Sequence, residues 1–305
     1  MKSILITGGT GLIGKSFIKS LDNNDFEIYV LTRSGSRVEN GISYINWNPE
    51  NGQLDLSRIK QIHYVINLAG ASIDGSRWSK NYKNKILSSR INSTKLLFKK
   101  IKELDTKPEL YIGASATGYY KKNTIFQQDE KDHKGKDFLS NVVEKWEKES
   151  FEFKKLGIRT AIFRIGLVLS EKGGVLKKLY PIFKYFLGVP IGSGKQTISW
   201  IHINDLIDMI KESIVNKEYN GVYNAVAPNV ITNEKFTHEL SKVLNRPSYP
   251  SFLKAPSFII KLFFGELSSL VLNGLNVSSK KIQNAGFKYS YESVDSALEN
   301  IYNNQ

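Results

Sequence analysis

The feature that most constrains this sequence is a set of three evenly spaced glycines near its start. Gly8, Gly11 and Gly14 follow an apolar stretch at residues 3–7 and precede apolar residues at helical spacing. A short buried strand, a glycine turn and a helix in this order form the first part of a β-α-β unit. The spacing therefore predicts an α/β fold with a parallel sheet.

Strand and helix patterns alternate along the first half of the chain. We predict strands at residues 3–7, 27–32, 42–46, 64–68, 110–114 and 159–164, and long helices at 80–104 and 138–156. The strands are apolar throughout, which is typical of a parallel sheet covered by helices on both faces. The predicted fold class is α/β: a doubly wound parallel sheet of the Rossmann type, followed by a smaller, mostly helical C-terminal domain on the substrate side.

The pattern becomes less regular beyond residue 170. We predict a dinucleotide-binding domain at residues 1–170, completed by segments around 198–226, and a substrate-side and C-terminal domain at 171–305. A connection at 247–256 begins and ends near prolines, and no long flexible linker separates the two parts. We therefore expect the second part to close over a cleft on the first.

Composition excludes several kinds of site. The chain contains no cysteine, so thiolate nucleophiles, disulfides and iron–sulfur clusters are impossible. His63, His133 and His238 lack the spacing of metal ligands, and we expect no metal. We find neither a signal-peptide pattern nor an uninterrupted apolar run of the ~20 residues that a membrane span requires. The expectation is a cytoplasmic protein without a membrane partner.

The formal net charge is +14 at pH 7. Such an excess can serve nucleic-acid binding when it is concentrated on one face. Here the lysines are spread along the whole chain, and no nucleic-acid-binding motif accompanies them. We expect no nucleic-acid partner, and the charge favours an anionic small molecule.

The glycine turn predicts a dinucleotide site. Gly8 permits a tight turn off the strand, Gly11 lets the backbone approach a diphosphate, and Gly14 lets the helix pack closely on the sheet. Free N–H groups at the start of the helix favour an anion. A purely structural strand-to-helix turn is the alternative. The candidate cofactor-binding residues of the turn are Gly8, Thr10, Gly11, Leu12, Ile13 and Gly14.

The end of the second strand indicates which dinucleotide is bound. The chain has Thr32, Arg33 and Ser34 there, with no carboxylate to accept hydrogen bonds from a ribose. A guanidinium matches a 2′-phosphate, so we predict NADP(H) as the cofactor, bound by Arg33 with help from Arg37. A solvated surface arginine remains the alternative for Arg33.

With residues 67–70, the glycine turn resembles the extended short-chain dehydrogenase/reductase superfamily, in its branch of nucleotide-sugar epimerases and dehydratases. Further segments resemble an epimerase-like subgroup of uncertain substrate that has a small C-terminal domain. These segments are 72–73, 77–78, 89–90, 113–120, 138–139, 146–147, 199–206, 265–266 and 277–287. The resemblance implies that Leu68, Ala69 and Gly70 line the cofactor beside its ribose.

The superfamily uses a serine, a tyrosine and a lysine four residues after the tyrosine. Ser115 stands where the resemblance places the serine. When Glu147 is aligned with the acidic residue that commonly follows the lysine by four, the tyrosine and lysine positions fall on Leu139 and Val143. Neither side chain can move a proton. The sequence therefore predicts that the usual Tyr-x-x-x-Lys pair is absent.

Two tyrosines near the serine are candidate substitutes. Tyr119 or Tyr120 could act as the acid beside Ser115, or could pack against the nicotinamide. Arg164 ends the sixth predicted strand and is expected near the cofactor cleft. His202 lies in an apolar run, where a structural histidine is more common than an acid or base.

Two functions remain open from the sequence. The first is an NADP(H)-dependent oxidoreductase or epimerase/dehydratase-like enzyme that acts on a small carbonyl or hydroxyl substrate of unknown identity. The second is a non-catalytic NADPH-binding protein that regulates a partner. The missing proton-transfer pair favours the second, whereas Ser115 and the two tyrosines favour the first. The oligomeric state is undecided.

Overall fold

The computed structural model describes residues 1–22, 25–250 and 252–303. The strands are β1 (Lys2–Thr7), β2 (Phe26–Thr32), β3 (Arg37–Glu39), β4 (Ile42–Asn48), β5 (Gln53–Leu54), β6 (Tyr64–Asn67), β7 (Leu110–Ala116), β8 (Arg159–Ile165), β9 (Leu167–Leu169), β10 (Thr197–Ile198), β11 (Trp200–His202), β12 (Gly221–Ala225) and β13 (Ile231–Thr232).

The helices are α1 (Leu12–Ser20), α2 (Lys80–Glu103), α3 (Phe138–Phe151), α4 (Gly174–Lys184), α5 (Ile203–Val215), α6 (Asn233–Val243), α7 (Ser257–Phe264), α8 (Ser269–Leu272), α9 (Lys280–Asn284) and α10 (Val294–Asn303). Short 3₁₀ helices cover Thr117–Tyr119, Glu152–Leu156 and Gly265–Ser268. None of the helices in the described ranges combines the length and apolar character needed to cross a lipid bilayer.

The central sheet has nine strands in the order β12-β8-β7-β6-β1-β2-β4-β3, with β5 paired to β4. The strands from β12 to β4 in this order are parallel, whereas β3 and β5 run antiparallel to β4. The chain leaves β1 towards β2 and later returns to β6 on its other side. This arrangement confirms the predicted doubly wound α/β fold and places a switch point between β1 and β6, where ligands of such sheets bind.

Each face of the sheet carries its own hydrophobic core. Ile4 and Ile6 of β1 pack in a cluster that includes Leu206 of α5, whereas Leu5 packs in a second cluster with Leu97 of α2. Neighbouring strand residues point to opposite faces, so a buried parallel strand must be apolar at every position. This requirement explains why the strands could be read from apolar runs.

The first strands also contain a hairpin that the sequence analysis missed. Asn40 and Gly41 join β3 to β4 with positive φ angles of 52° and 77°. An Asn-Gly pair with positive φ at both positions is the preferred two-residue connection between antiparallel strands. The dipeptide itself was therefore an available signal for this hairpin.

The chain beyond residue 170 contributes to the central sheet as well as to a second body. β12 pairs with β8 in parallel, in the register Asn224 to Arg164. A third core cluster joins side chains of α4, α6 and α10, including Leu176, Leu240 and Leu298. The pairing of β12 with β8 brings residues of both halves of the chain together near the carboxyl end of β8.

Candidate cofactor and active site

Two glycines of the turn are demanded by the structure. Gly8 has φ of 68°, and a side-chain Cβ at this position would lie 2.6 Å from the carbonyl oxygen of Leu68. A Cβ at Gly14 would lie 2.4 Å from the carbonyl oxygen of Gly8 and 2.6 Å from the Cα of Gly9. Real Cβ atoms do not come so close to backbone, so both positions require glycine. The turn thus packs against helix α1 and the segment after β6.

Helix α1 begins without a side-chain cap. Its N-cap is Gly11, and the first hydrogen bond of the helix runs from the N–H of Lys15 to the carbonyl oxygen of Gly11, at 2.9 Å. Thr10 is exposed, and Leu12 and Ile13 are half-buried. The first N–H groups of a helix have no acceptor within the helix, and an anion commonly satisfies them. The start of α1 can therefore hold a diphosphate.

A buried threonine holds the next part of the site in place. The hydroxyl of Thr7 donates to Oδ1 of Asn67 at 2.7 Å and accepts hydrogen bonds from the N–H groups of Leu68 and Ala69, at 3.1 and 3.0 Å. The segment that continues to Gly70 is therefore fixed against the end of β1. The sequence analysis gave Thr7 no role, because its partners come from a distant strand.

Basic residues line a cleft next to the turn. The cleft has a volume of about 560 Å³, and Thr10, Lys15, Lys19 and Arg37 are among the residues that line it. Arg37 stacks on Tyr44, 4.0 Å from the ring centroid, and forms a 3.0 Å ion pair with Glu39. The sequence analysis did not single out the two lysines, although they follow the turn at positions i and i+4 of α1.

Arg33 lies directly after β2 and is exposed. No carboxylate among the described residues forms an ion pair with it. Its guanidinium is therefore available to an anionic ligand.

Ser115 lies near the end of β7 and is only 3% exposed. Its hydroxyl donates to Oε1 of Glu147 on α3, at 2.5 Å. Leu139 and Val143 precede Glu147 by two turns and one turn of the same helix and are also buried. The positions aligned with the tyrosine and lysine of the superfamily are thus apolar side chains inside the protein, on the helix that Ser115 contacts.

Glu147 is bound by a buried arginine. Arg164 of β8 donates from Nε and Nη2 to the two carboxylate oxygens of Glu147, each at 2.8 Å. Burial opposes the charge, but the hydrogen bonds and attraction of Glu147 outweigh it and raise the pKa of Arg164. Its remaining nitrogen, Nη1, donates to the hydroxyl of Tyr120 at 2.9 Å. All three nitrogens of Arg164 therefore have partners within the protein.

The two tyrosines after Ser115 differ sharply. Tyr120 is fully buried, and its hydroxyl donates to Oδ1 of Asn224 at 2.7 Å. Burial raises the pKa of Tyr120. Tyr119 is half-buried, its ring lies 3.5 Å from the guanidinium carbon of Arg164, and its hydroxyl has no hydrogen-bond partner among the described residues. Of the two phenols, Tyr119 is the one that a ligand can engage.

His202 has a structural role at the start of helix α5. Its Nδ1 accepts a hydrogen bond from the N–H of Asn204 at 3.1 Å and so caps helix α5. Its ring lies 3.9 Å from the ring of Tyr291, and burial lowers the pKa of His202 to about 4. The imidazole is therefore neutral at pH 7. In the part of the chain that the structure describes, no three histidine or acidic side chains gather to hold a metal ion.

The parallel sheet, its switch point and the glycine turn define a Rossmann-fold protein. A model described as the NAD dependent epimerase/dehydratase family matches residues 4–225, and the chain belongs to this family. A second model, described as a domain of unknown function (DUF1731), matches residues 255–301. The resemblance read from the sequence is therefore confirmed, including its small C-terminal region.

Curated relatives match over nearly the whole chain. The epimerase family protein SSP1921 of Staphylococcus saprophyticus is 39% identical over 304 residues, which cover 99% of each chain. The epimerase family protein SH2119 of Staphylococcus haemolyticus is 37% identical over 303 residues, which also cover 99% of each chain. Their names state the family and no substrate.

Solved structures show the same architecture. Human epimerase family protein SDR39U1 (isoform 2), solved with NADPH, superposes with a TM-score of 0.87 at 29% identity, covering 99% of this chain and 100% of that one. A nucleoside-diphosphate sugar epimerase from Corynebacterium glutamicum superposes with a TM-score of 0.80 at 25% identity, and the match covers 100% of this chain and 59% of that one. A UDP-glucuronic acid 4-epimerase from Bacillus cereus, at 18% identity, shares the fold.

Proposed function

We propose that this chain binds NADP(H) and is an NADP(H)-dependent oxidoreductase or epimerase/dehydratase-like enzyme that acts on a small carbonyl or hydroxyl substrate. The observation that carries the proposal is the turn between β1 and α1, where side chains at Gly8 and Gly14 would collide with backbone at 2.6 and 2.4 Å. Such a close backbone approach leaves the first N–H groups of α1 for a diphosphate. The NADPH present in the structure of SDR39U1 supports the same cofactor.

Basic side chains support NADP(H) over NAD(H). No carboxylate directly follows β2, and Arg33 is exposed there. Lys15 and Arg37 line the cleft beside the turn, where Arg37 is paired with Glu39 and Lys15 adds positive charge. Guanidinium groups bind phosphate with charge-assisted hydrogen bonds. Arg33, with Arg37 and Lys15 nearby, would hold the 2′-phosphate, and the backbone from Leu68 to Gly70 would flank the ribose.

The cofactor supplies or accepts a hydride, so the chain itself must handle a proton at the substrate oxygen. The hydroxyl of Ser115 donates a hydrogen bond to Glu147. The oxygen of Ser115 can therefore still accept a hydrogen bond from a substrate hydroxyl. The hydroxyl of Tyr119 has no hydrogen-bond partner among the described residues, and the guanidinium of Arg164 lies against its ring. We assign proton transfer to Tyr119, while Tyr120 keeps Arg164 in place.

A matched pair of tyrosine variants tests this assignment. Purified protein is screened with small aldehydes, ketones and alcohols while nicotinamide absorbance is followed. We expect Tyr119→Phe to lower kcat by about 100-fold or more, the usual range for a lost general acid, with NADPH affinity unchanged. Tyr120→Phe serves as the control. It should lower the free energy of unfolding but lower kcat per folded molecule much less than Tyr119→Phe does.

Each result has a clear reading. Wild-type turnover by Tyr119→Phe would show that this phenol does not transfer the proton. A wild-type protein that binds NADPH but converts none of these compounds would favour the non-catalytic NADPH-binding regulator instead.

A further inference from the structure

A partly buried arginine lies beside the crevice at the switch point between β1 and β6 and has no acidic partner among the described residues. Arg90 of α2 donates from Nη1 to the carbonyl oxygens of Ala71 and Ile86, at 3.1 and 2.9 Å. Its Nε and Nη2 have no acceptor among the described residues, and none of the ion pairs among those residues includes Arg90. Burial lowers the pKa of Arg90 to about 10, so it remains charged at pH 7. An unpaired, desolvated cation is costly unless a ligand completes it.

The guanidinium reaches the crevice at Gly70. A Cβ at Gly70 would lie 3.0 Å from Cζ and 3.2 Å from Nη2 of Arg90. Gly70 is exposed and follows β6 at the switch point of the sheet. A glycine here leaves the guanidinium face uncovered, whereas any side chain would cover it.

A second donor beside Arg90 also lacks an acceptor. The guanidinium lies 5.0 Å from the ring centroid of Trp146 of α3. The indole Nε1 of Trp146 is buried and has no hydrogen-bond partner among the described residues. Arg90 and its neighbour Trp146 thus each carry an N–H donor without an acceptor among the described residues, and the free Nη2 of Arg90 is the one that lies against Gly70.

Arg159 is a comparable arginine away from the switch point. It begins β8, at the opposite end of the sheet, and its Nη1 donates to three carbonyl oxygens, those of Ser213, Asn216 and Tyr219. Burial lowers the pKa of Arg159 as it lowers that of Arg90. What distinguishes Arg90 is its position against Gly70 and Trp146.

We infer that Arg90 binds an oxyanion of a ligand in the crevice beside Gly70, either a phosphate of the cofactor or a carboxylate or phosphate of the substrate. The inference extends the proposed function, since the crevice is the one assigned to NADP(H). The guanidinium lies over the ring of Trp146 and would present Nε and Nη2 to the anion, while Nη1 stays bound to backbone carbonyls.

The experiment compares wild-type protein with Arg90→Gln and uses Arg159→Gln as the control for loss of a partly buried arginine. NADPH and NADH are titrated by nicotinamide fluorescence, and oxalate is titrated into the NADPH-saturated protein by calorimetry. Inorganic pyrophosphate is titrated into the cofactor-free protein as a probe that does not depend on the proposed function.

A cofactor phosphate at Arg90 would make Arg90→Gln lose about tenfold or more in affinity for NADPH and NADH alike. A substrate oxyanion would leave both cofactors unchanged and lower oxalate affinity by a similar factor. Arg90→Lys should retain part of the lost affinity in either case, and it replaces Arg90→Gln if that variant does not fold. Arg159→Gln should leave every affinity unchanged.

The inference is overturned if Arg90→Gln binds NADPH, NADH, oxalate and pyrophosphate as wild type does. Failure of the wild-type protein to bind NADPH would instead contradict the proposed function. Pyrophosphate binding that depends on Arg90 would then still support the oxyanion site.

Discussion

Two regions of the proposed site, the glycine turn (the turn end) and the surroundings of Ser115 (the Ser115 end), are built on different principles. At the turn end, the backbone defines the site: Gly8 and Gly14 leave no room for a side chain, and N–H groups await a ligand. At the Ser115 end, side chains bind one another, with Ser115 on Glu147 and Glu147 on Arg164. Glycine spacing alone therefore points to the proposed binding site, whereas a serine at the expected position indicates little until its hydrogen-bond partner is known.

The largest effect is expected from breaking the buried ion pair. Glu147→Gln would leave Arg164 without its carboxylate, and removal of one partner of a buried pair costs about 3–5 kcal/mol of unfolding free energy. Glu149→Gln is the control, because Glu149 lies on the same helix, is partly exposed and forms a 3.5 Å ion pair with Lys95. Its loss should lower the unfolding free energy by about 1 kcal/mol or less. Urea unfolding measures both variants. Equal losses would show that the Ser115 end does not depend on this pair.

A glycine pair tests the turn end. Gly8 and Gly52 have φ of 68° and 67°, but a Cβ at Gly52 meets nothing within 4 Å. Alanine therefore adds the same backbone strain of about 1–2 kcal/mol at both positions and a backbone collision at Gly8 alone. We expect Gly8→Ala to be the less stable variant and to lose NADPH binding, whereas Gly52→Ala binds NADPH normally. Equal behaviour of the two would remove the steric argument for the turn.

His202 makes a pH-dependent contribution away from both ends. Burial lowers its pKa to about 4, below the 6.5 of a free histidine, so its stabilisation is complete above pH 6.5 and is lost as the pH falls towards 4. Between pH 7 and pH 4.5 wild type should lose about 2 kcal/mol more unfolding free energy than His202→Asn, which keeps a helix-capping side chain. Asp205, whose pKa burial raises to about 6, titrates in both proteins and cancels. Parallel curves would show that His202 is not buried in its neutral form.

The parts of the fold that follow from local pattern could be predicted from the sequence. The strands of the central sheet are apolar runs because both of their faces are buried. The short strands β3 and β5 were missed because two or three residues are too few to show periodicity. For β3 the Asn40–Gly41 turn was the remaining signal.

The candidate site could be predicted only in part. Gly8 and Gly14 were readable because their requirement is a property of the backbone. The bonds of Ser115, Tyr120 and Arg164 depend on how α3 packs on β7 and β8, which a single sequence does not specify. Arg90 was visible as a motif residue, but its lack of a carboxylate partner exists only in three dimensions.

The most direct test is a titration of the wild-type protein with NADPH and with NADH, followed by nicotinamide fluorescence. The turn and Arg33 together predict that NADPH binds at least about tenfold more tightly, the value of a charge-assisted phosphate contact. Equal affinities would remove Arg33 from the account. Binding of neither cofactor would contradict the proposal that the turn from Gly8 to Gly14 is a dinucleotide site.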